Sequence, residues 1–146
     1  MTRLVLDASV AVKWYVNEAG TERALALLDD PRLELFAADI FRIEVVNALL
    51  RQLKVGQISD SAFEDAVTDL ALTTPRLVPS TEILDRAVDL ARALAHPLYD
   101  CLYLASAERR EAVMVTADAA FVQRCRSQLG HDPVVGRLRL LSDVEP

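Results

Sequence analysis

The sequence has little cysteine, glycine or aromatic content: 2 Cys, 4 Gly and 5% Phe, Trp and Tyr among 146 residues. Two cysteines cannot build a disulfide framework, and Cys101 and Cys125 lie apart in helix-forming stretches, which predicts the buried thiols of a cytoplasmic protein. With only 4 Gly and 6 Pro against 52% hydrophobic residues, the composition excludes a disordered or low-complexity chain. No segment approaches the ~20 apolar residues needed to span a bilayer. Asp7 interrupts the first apolar run, so the N-terminus does not read as a signal peptide. An excess of positive charge is also missing. The 16 Lys and Arg face 22 Asp and Glu, a net of −6, which excludes a protein that coats a nucleic-acid duplex through many phosphate contacts. The cations that are present are lopsided, because all except Lys13 and Lys54 are Arg, the side chain whose planar fork suits phosphate.

A single domain over residues 1–146 is expected, since a chain of this size buries roughly two-thirds of its unfolded surface and needs no metal for stability. Leu4-Val5-Leu6 is a short apolar run suited to a strand buried on both faces. Thr21 is placed to cap a helix that Asp29-Asp30-Pro31 stops, and Leu33 to Ala37 alternates as a second strand. Asp39 is expected to open a helix with Ile43, Val46, Leu49, Leu50 and Leu53 at helical spacing, ending at Gly56. Ser61 and Glu64 have the spacing of a capping box for the next helix, which runs to about Thr73. Leu77-Val78-Pro79 reads as a third strand, followed by a helix capped by Ser80 or Thr81 and ended by His96-Pro97. Leu98 to about Arg110 is a further helix, Ala112 to Val115 a fourth strand, Asp118 the start of another helix, and Leu138 to Leu141 a last strand. This alternation predicts an α/β domain with a mainly parallel sheet, whose ligands sit at the C-terminal ends of the strands where strand order reverses.

Four acids stand out against this order. Asp7 follows the first strand and Asp118 the fourth; Glu44 and Asp100 each lie in a strongly apolar helix. Taken singly, each fits a cap, a first-turn acid or a solvated face. Together they suggest a metal site, because converging carboxylates repel one another and take up protons unless a cation holds them ionised. Oxygen donors select Mg²⁺ or Mn²⁺, and without a His or Cys pair at ligand spacing Zn²⁺ is not expected. Such an ion points to phosphoryl or phosphodiester chemistry, with an activated water as nucleophile.

The segments Val5-Leu-Asp7-Ala-Ser9, Glu44-Val-Val-Asn47-Ala-Leu49, Tyr99-Asp100-Cys-Leu-Tyr-Leu-Ala105 and Val115-Thr-Ala-Asp118-Ala-Ala-Phe121 resemble, in order, the motifs of PIN-domain proteins, in particular the small VapC-type toxins. The resemblance covers nearly the whole chain. It implies a flavodoxin-like three-layer α/β/α fold with a central, mainly parallel sheet of four to five strands. It also implies a Mg²⁺- or Mn²⁺-dependent endoribonuclease that leaves a 5′-phosphate and a 3′-hydroxyl, a homodimer, and a cognate antitoxin. Asp7, Glu44, Asp100 and Asp118 match the catalytic and metal-binding positions. Ser9, Asn47 and Thr116 match polar positions beside them, where they would orient a carboxylate or a water. A further acid present after the fourth motif in some members is replaced here by Ala119-Ala120-Phe121, which leaves one or two metal ions open.

For substrate contacts, Lys13, Arg124 and Arg126 are the candidates, since Lys13 follows Asp7 and the two arginines follow Asp118 on one helix. Trp14 is expected to pack in the core, and His96 and His131 carry no assigned role. The apolar residues around Leu49-Leu50 and Phe63-Val67 are read as core, with a partner surface as the alternative. Competing functions are a phosphoacceptor module, which lacks the lysine expected near its last strand, and a phosphatase, in which Ser9 stands where a second Asp is usual. A non-toxin RNA-processing nuclease and a binding scaffold that has lost turnover complete the alternatives.

Overall fold

The computed structural model describes residues 1–145. Five strands, β1 (Thr2–Leu6), β2 (Leu33–Ala38), β3 (Arg76–Val78), β4 (Val113–Thr116) and β5 (Leu138–Leu140), form one parallel sheet in the order β3-β2-β1-β4-β5. The helices are α1 (Ala8–Ala11), α2 (Thr21–Asp29), α3 (Phe41–Lys54), α4 (Asp60–Thr73), α5 (Ser80–Leu94), α6 (Leu98–Arg109) and α7 (Ala119–Gln128), with short 3-10 turns at Val12–Trp14, Pro133–Arg137 and Leu141–Asp143. The result is the expected three-layer α/β/α arrangement, with the sheet wholly parallel.

The strands explain the layering. Alternate residues of a strand point to opposite faces, so Val5 and Met114 enter the large core containing α3, α5 and α6, while Leu4, Leu6 and Val115 join Ala24, Leu27 and Leu141 on the other face. Both faces are covered, which is why β1 and β4 read as continuous apolar runs. The chain lays β2 and β3 on one side of β1 and then crosses to place β4 on the other, so strand order reverses between β1 and β4. A crevice opens there, at the strands' C-terminal ends. Helix α6 crosses the sheet beneath this crevice with Cys101 to Ala107 all buried, including both the Cys101 thiol and the phenol ring of Tyr103. Cys125 is buried as well.

Several helix starts differ from the sequence reading. Gly20, with φ +90°, precedes α2, and Thr21 instead uses its hydroxyl to bridge Val16 O and Glu18 N. A side chain at Gly20 would meet both that left-handed backbone and Leu141. Ser59, not Ser61, caps α4 by accepting from Ala62 N. Asp39 lies just before α3 but accepts from Ser80 N at 2.8 Å, so it fixes the start of α5. The parallel pairing of β2 with β3 brings the ends of those strands together and makes this exchange possible. Ala95, at φ 48°, closes α5 in the left-handed conformation, with its N–H donating to Arg92 O.

Candidate active site

The crevice is a cavity of about 360 Å³ lined by five carboxylates, Asp7, Glu18, Glu44, Asp100 and Asp118, and two cations, Lys13 and Arg51. Each of the four acids named from the sequence arrives from a different element. Asp7 ends β1, Glu44 sits in the first turn of α3, Asp100 in the first turn of α6, and Asp118 is the N-cap of α7.

A protein donor holds one oxygen of every one of these carboxylates. Asp7 Oδ2 accepts from Ser9 Oγ at 2.6 Å and from Thr116 Oγ1 at 2.8 Å. Glu44 Oε1 accepts from the Tyr103 hydroxyl at 2.7 Å. Asp100 Oδ2 lies 2.6 Å from His96 Nε2, whose ring rests on Phe121 with centroids 4.9 Å apart. Asp118 Oδ1 accepts from Phe121 N at 3.0 Å. The other oxygen of each acid makes no hydrogen bond among the described residues. Four carboxylates are thus oriented by one oxygen each and keep the second free.

Ser9 and Thr116 do more than hold Asp7. Ser9 Oγ also accepts from Ala117 N, and Thr116 Oγ1 accepts from Asp118 N. The two hydroxyls therefore tie the loop after β4 to the loop after β1 and set the acids of both loops relative to one another.

The electrostatics follow from burial. Asp7 is only 5% exposed, and that burial pushes its carboxyl up to about 6; the Asp100 and Glu44 charges push the same way, while the Ser9 and Thr116 hydrogen bonds oppose them. Glu44 is also raised, first by burial and then by the Asp100 charge, against the Tyr103 hydrogen bond and the Arg51 charge. Burial and the neighbouring acids keep Tyr103 a neutral donor.

This donor set suits a hard divalent cation, being all oxygen, mutually repelling and partly desolvated. Among the described residues no three His, Cys, Asp or Glu side chains close into a coordination shell by themselves. Mg²⁺ does not need such a shell, since it retains waters and takes one or two carboxylates together with substrate phosphate oxygens.

The remaining sequence candidates distribute differently. Lys13 lines the cavity, although its ammonium is engaged by Glu18 at 3.1 Å and by Ala19 O at 2.7 Å. Asn47 lies outside it, on a neighbouring apolar groove of about 960 Å³ that also contains Ile43, Leu50, Val67 and Tyr99; Glu44 borders both spaces. Leu49 is core, as expected, but Leu50 is exposed in that groove. Arg124 donates to Leu94 O at 3.1 Å, at the C-terminus of α5, and neither it nor Arg126 reaches the cavity. Trp14 is partly buried against Phe41 and donates to Ala24 O.

Tyr103, Arg51, His96 and Glu18 had no assigned role in the sequence reading. Helical spacing signals the first two: Tyr103 follows Asp100 by three residues within α6, and Arg51 follows Glu44 by seven, two turns along α3. His96 lies before α6, beyond Pro97, and Glu18 in the loop before α2, so no helical spacing points to either.

Known proteins share the fold and, in part, the sequence pattern. The PIN domain family model matches residues 4–126. Among solved structures, PAE2754 from Pyrobaculum aerophilum superposes with a TM-score of 0.62 at 20% identity, covering 84% of this chain and 86% of the other. A toxin-antitoxin complex from Klebsiella pneumoniae contains a chain with a TM-score of 0.58 at 16% identity, covering 97% of this chain and 99% of that one. No curated protein sequence matches. The family model spans β1 through most of α7, including all four acids and the residues that orient them, and the chain therefore belongs to the PIN domain family, a nuclease superfamily.

Proposed function

We propose that this chain is a Mg²⁺- or Mn²⁺-dependent endoribonuclease, a single PIN domain acting in the cytoplasm as the toxin of a VapBC-type pair, with a cognate antitoxin and a homodimeric assembly. The observation that carries the catalytic part is the set of four carboxylates at the β1/β4 crossover, each anchored through one oxygen and free at the other. The toxin part is supported by the likeness over nearly its full length to a chain of a toxin-antitoxin complex.

Asp7, Glu44, Asp100 and Asp118 would hold the ion. Bound there, it would supply Lewis-acid stabilisation of the scissile phosphate and make an attacking water more acidic. The protein's own contribution is orientation. Ser9 and Thr116 fix Asp7, Tyr103 fixes Glu44, and His96 fixes Asp100, so the free oxygens need little reorganisation when the substrate arrives. Asp7 and Glu44, raised by burial, are poised to ionise fully once a cation offsets their repulsion. In-line attack at phosphorus then releases a 3′-hydroxyl and leaves a 5′-phosphate.

The test is cleavage of cellular RNA by the purified protein with Mn²⁺, beside the Asp100→Asn and Asp7→Ala proteins, with calorimetric Mn²⁺ binding on all three. The parent should cleave, and each variant should lose activity by a factor on the order of 10³ and bind Mn²⁺ more weakly. Equal cleavage by parent and variants would refute the reading. Mn²⁺ binding without cleavage would favour a scaffold, a reading kept open by Ala119 and Ala120 after Asp118.

A further inference from the structure

An acidic cavity that accepts a polyanion needs at least one cation free to meet a phosphate, and the cavity offers two. Lys13 is already committed to Glu18 and to a backbone carbonyl. Arg51 forms no ion pair among the described residues. It is exposed, lines the cavity beside Gln52, and stands on the same face of α3 as Glu44, about 10 Å further along the helix axis. Its charge reaches Glu44 and lowers that carboxyl's proton affinity. Arg124 and Arg126 are elsewhere, the former spent on the end of α5.

We infer that Arg51, assisted by Gln52, forms a phosphate subsite that grips the RNA backbone next to the scissile bond. The inference rests on the nuclease reading above. A guanidinium fork can hold two oxygens of one phosphate, which fixes both the height and the direction of the strand over Glu44. The spacing suits this role: Arg51 stands two turns along α3 from Glu44 and lines the same cavity, so a strand whose scissile phosphate sits at the acids runs past Arg51 with a neighbouring phosphate. Such a grip is independent of base identity, because phosphate contacts set register and carry no sequence information.

The experiment compares the parent with Arg51→Ala, Arg51→Lys and, as a control, Lys54→Ala, an exposed cation on α3 that does not line the cavity. Two quantities are read on a labelled single-stranded RNA: steady-state KM and kcat with Mn²⁺, and equilibrium binding by anisotropy in EDTA from low to high salt. Arg51→Ala should weaken binding about 10-fold and reduce the slope of log K against log salt by about 0.7, the value for one phosphate contact on a single strand. The loss should fall mainly on KM. Arg51→Lys should restore the slope but only part of the affinity, since a point charge replaces the fork. Lys54→Ala should match the parent.

An unchanged slope and KM in Arg51→Ala would overturn the subsite. So would a fall in kcat with an unchanged slope, which would make Arg51 a neighbour that tunes Glu44 and does not touch RNA. If the parent itself neither binds nor cleaves RNA, the nuclease reading falls and the subsite with it. Binding and cleavage that Arg51→Ala leaves intact refute the subsite alone.

Discussion

Helix α6 carries an acid cluster near each end, and the two are built on opposite principles. At its C-terminal end Glu108 and Asp132 share Arg86, whose guanidinium donates to both at 2.8 to 3.1 Å. Their charges are matched: Asp132 is held below the usual carboxylate range by its backbone hydrogen bond from Val134 and by Arg86, and Arg86 is raised in turn. At the N-terminal end, about 12 Å away along the axis from Glu108 to Asp100, the same residue types meet without a shared cation. There burial pushes Asp7 up to about 6 and raises Glu44. A fold selected for stability alone would build the first kind of cluster. The second kind costs stability, and strain of that sort concentrates at functional sites.

The largest effect that would break this contrast is on Asp7. The folded carboxyl titrates near 6 and the unfolded one near 3.8, so between these values the native state holds the proton that the unfolded state has released. Stability therefore falls as pH rises from about 4 to about 6 and stays reduced above, by about 2–3 kcal/mol. Asp7→Asn keeps an acceptor for Ser9 and Thr116 and removes the charge. In EDTA at pH 7.5 it should unfold at higher denaturant than the parent, by about that amount, with the gap closing towards pH 4. Adding Mn²⁺ should stabilise the parent and not the variant, by about 2.7 kcal/mol at a hundredfold excess over Kd. An Asp7→Asn protein no more stable than the parent at pH 7.5 would mean that the acid cleft is not strained.

Much of this was readable beforehand, and the part that was not shares one cause. Buried strands announce themselves as short apolar runs, so β1 and β4 and the acids that follow them were visible in Leu4-Val5-Leu6-Asp7 and in Val113 to Asp118. Which way a helical side chain points depends on a phase that neighbouring elements set. Asn47 is rotated roughly 60° from Glu44 on α3, and Arg51 roughly 20°. The first falls on the apolar groove and the second in the acid cavity. Arg124 and Arg126 follow Asp118 closely in sequence, yet α7 turns Phe121, Val122 and Cys125 into the core and leaves both arginines on its flank. The Asp39 helix start differs from the expectation for a related reason, whereas Asp118 does cap α7. Asp39 has the right chemistry to start a helix, but the β2–β3 pairing presents it with Ser80 N, a donor 41 residues on.

A smaller effect is expected at the other end of α6. Arg86, Glu108 and Asp132 are each about a third exposed, so water screens their attraction and the bonds are worth far less than their geometry suggests. Arg86→Ala should destabilise by about 1 kcal/mol, and the penalty should shrink as salt rises. RNA cleavage should be unchanged, since none of the three lines the acid cavity. A cleavage defect in Arg86→Ala, with α6 still folded by circular dichroism, would mean that the two ends of the helix are coupled and that the contrast between them is not one of separate parts.

The smallest effect separates burial from proximity. Arg32 forks onto Asp30 with bonds of 2.8 and 2.9 Å, geometry at least as close as that around Arg86, and holds that carboxyl down to about 2. The Arg32 side chain is nevertheless 83% exposed. In the unfolded chain the two residues remain two positions apart and meet again in water, so folding changes their interaction little. Arg32→Ala should leave the unfolding midpoint at pH 7 within experimental error at any salt concentration. A measurable loss would show that surface pairing alone stabilises this chain, and the absence of a partner for Asp7 and Glu44 would then lose part of its weight as the signature of the site. An unchanged midpoint leaves burial of the pair as a whole as the variable that distinguishes the clusters: the cation solvated at Arg32 beside a part-covered Asp30, both partners partly covered at Arg86, and burial decisive at Asp7.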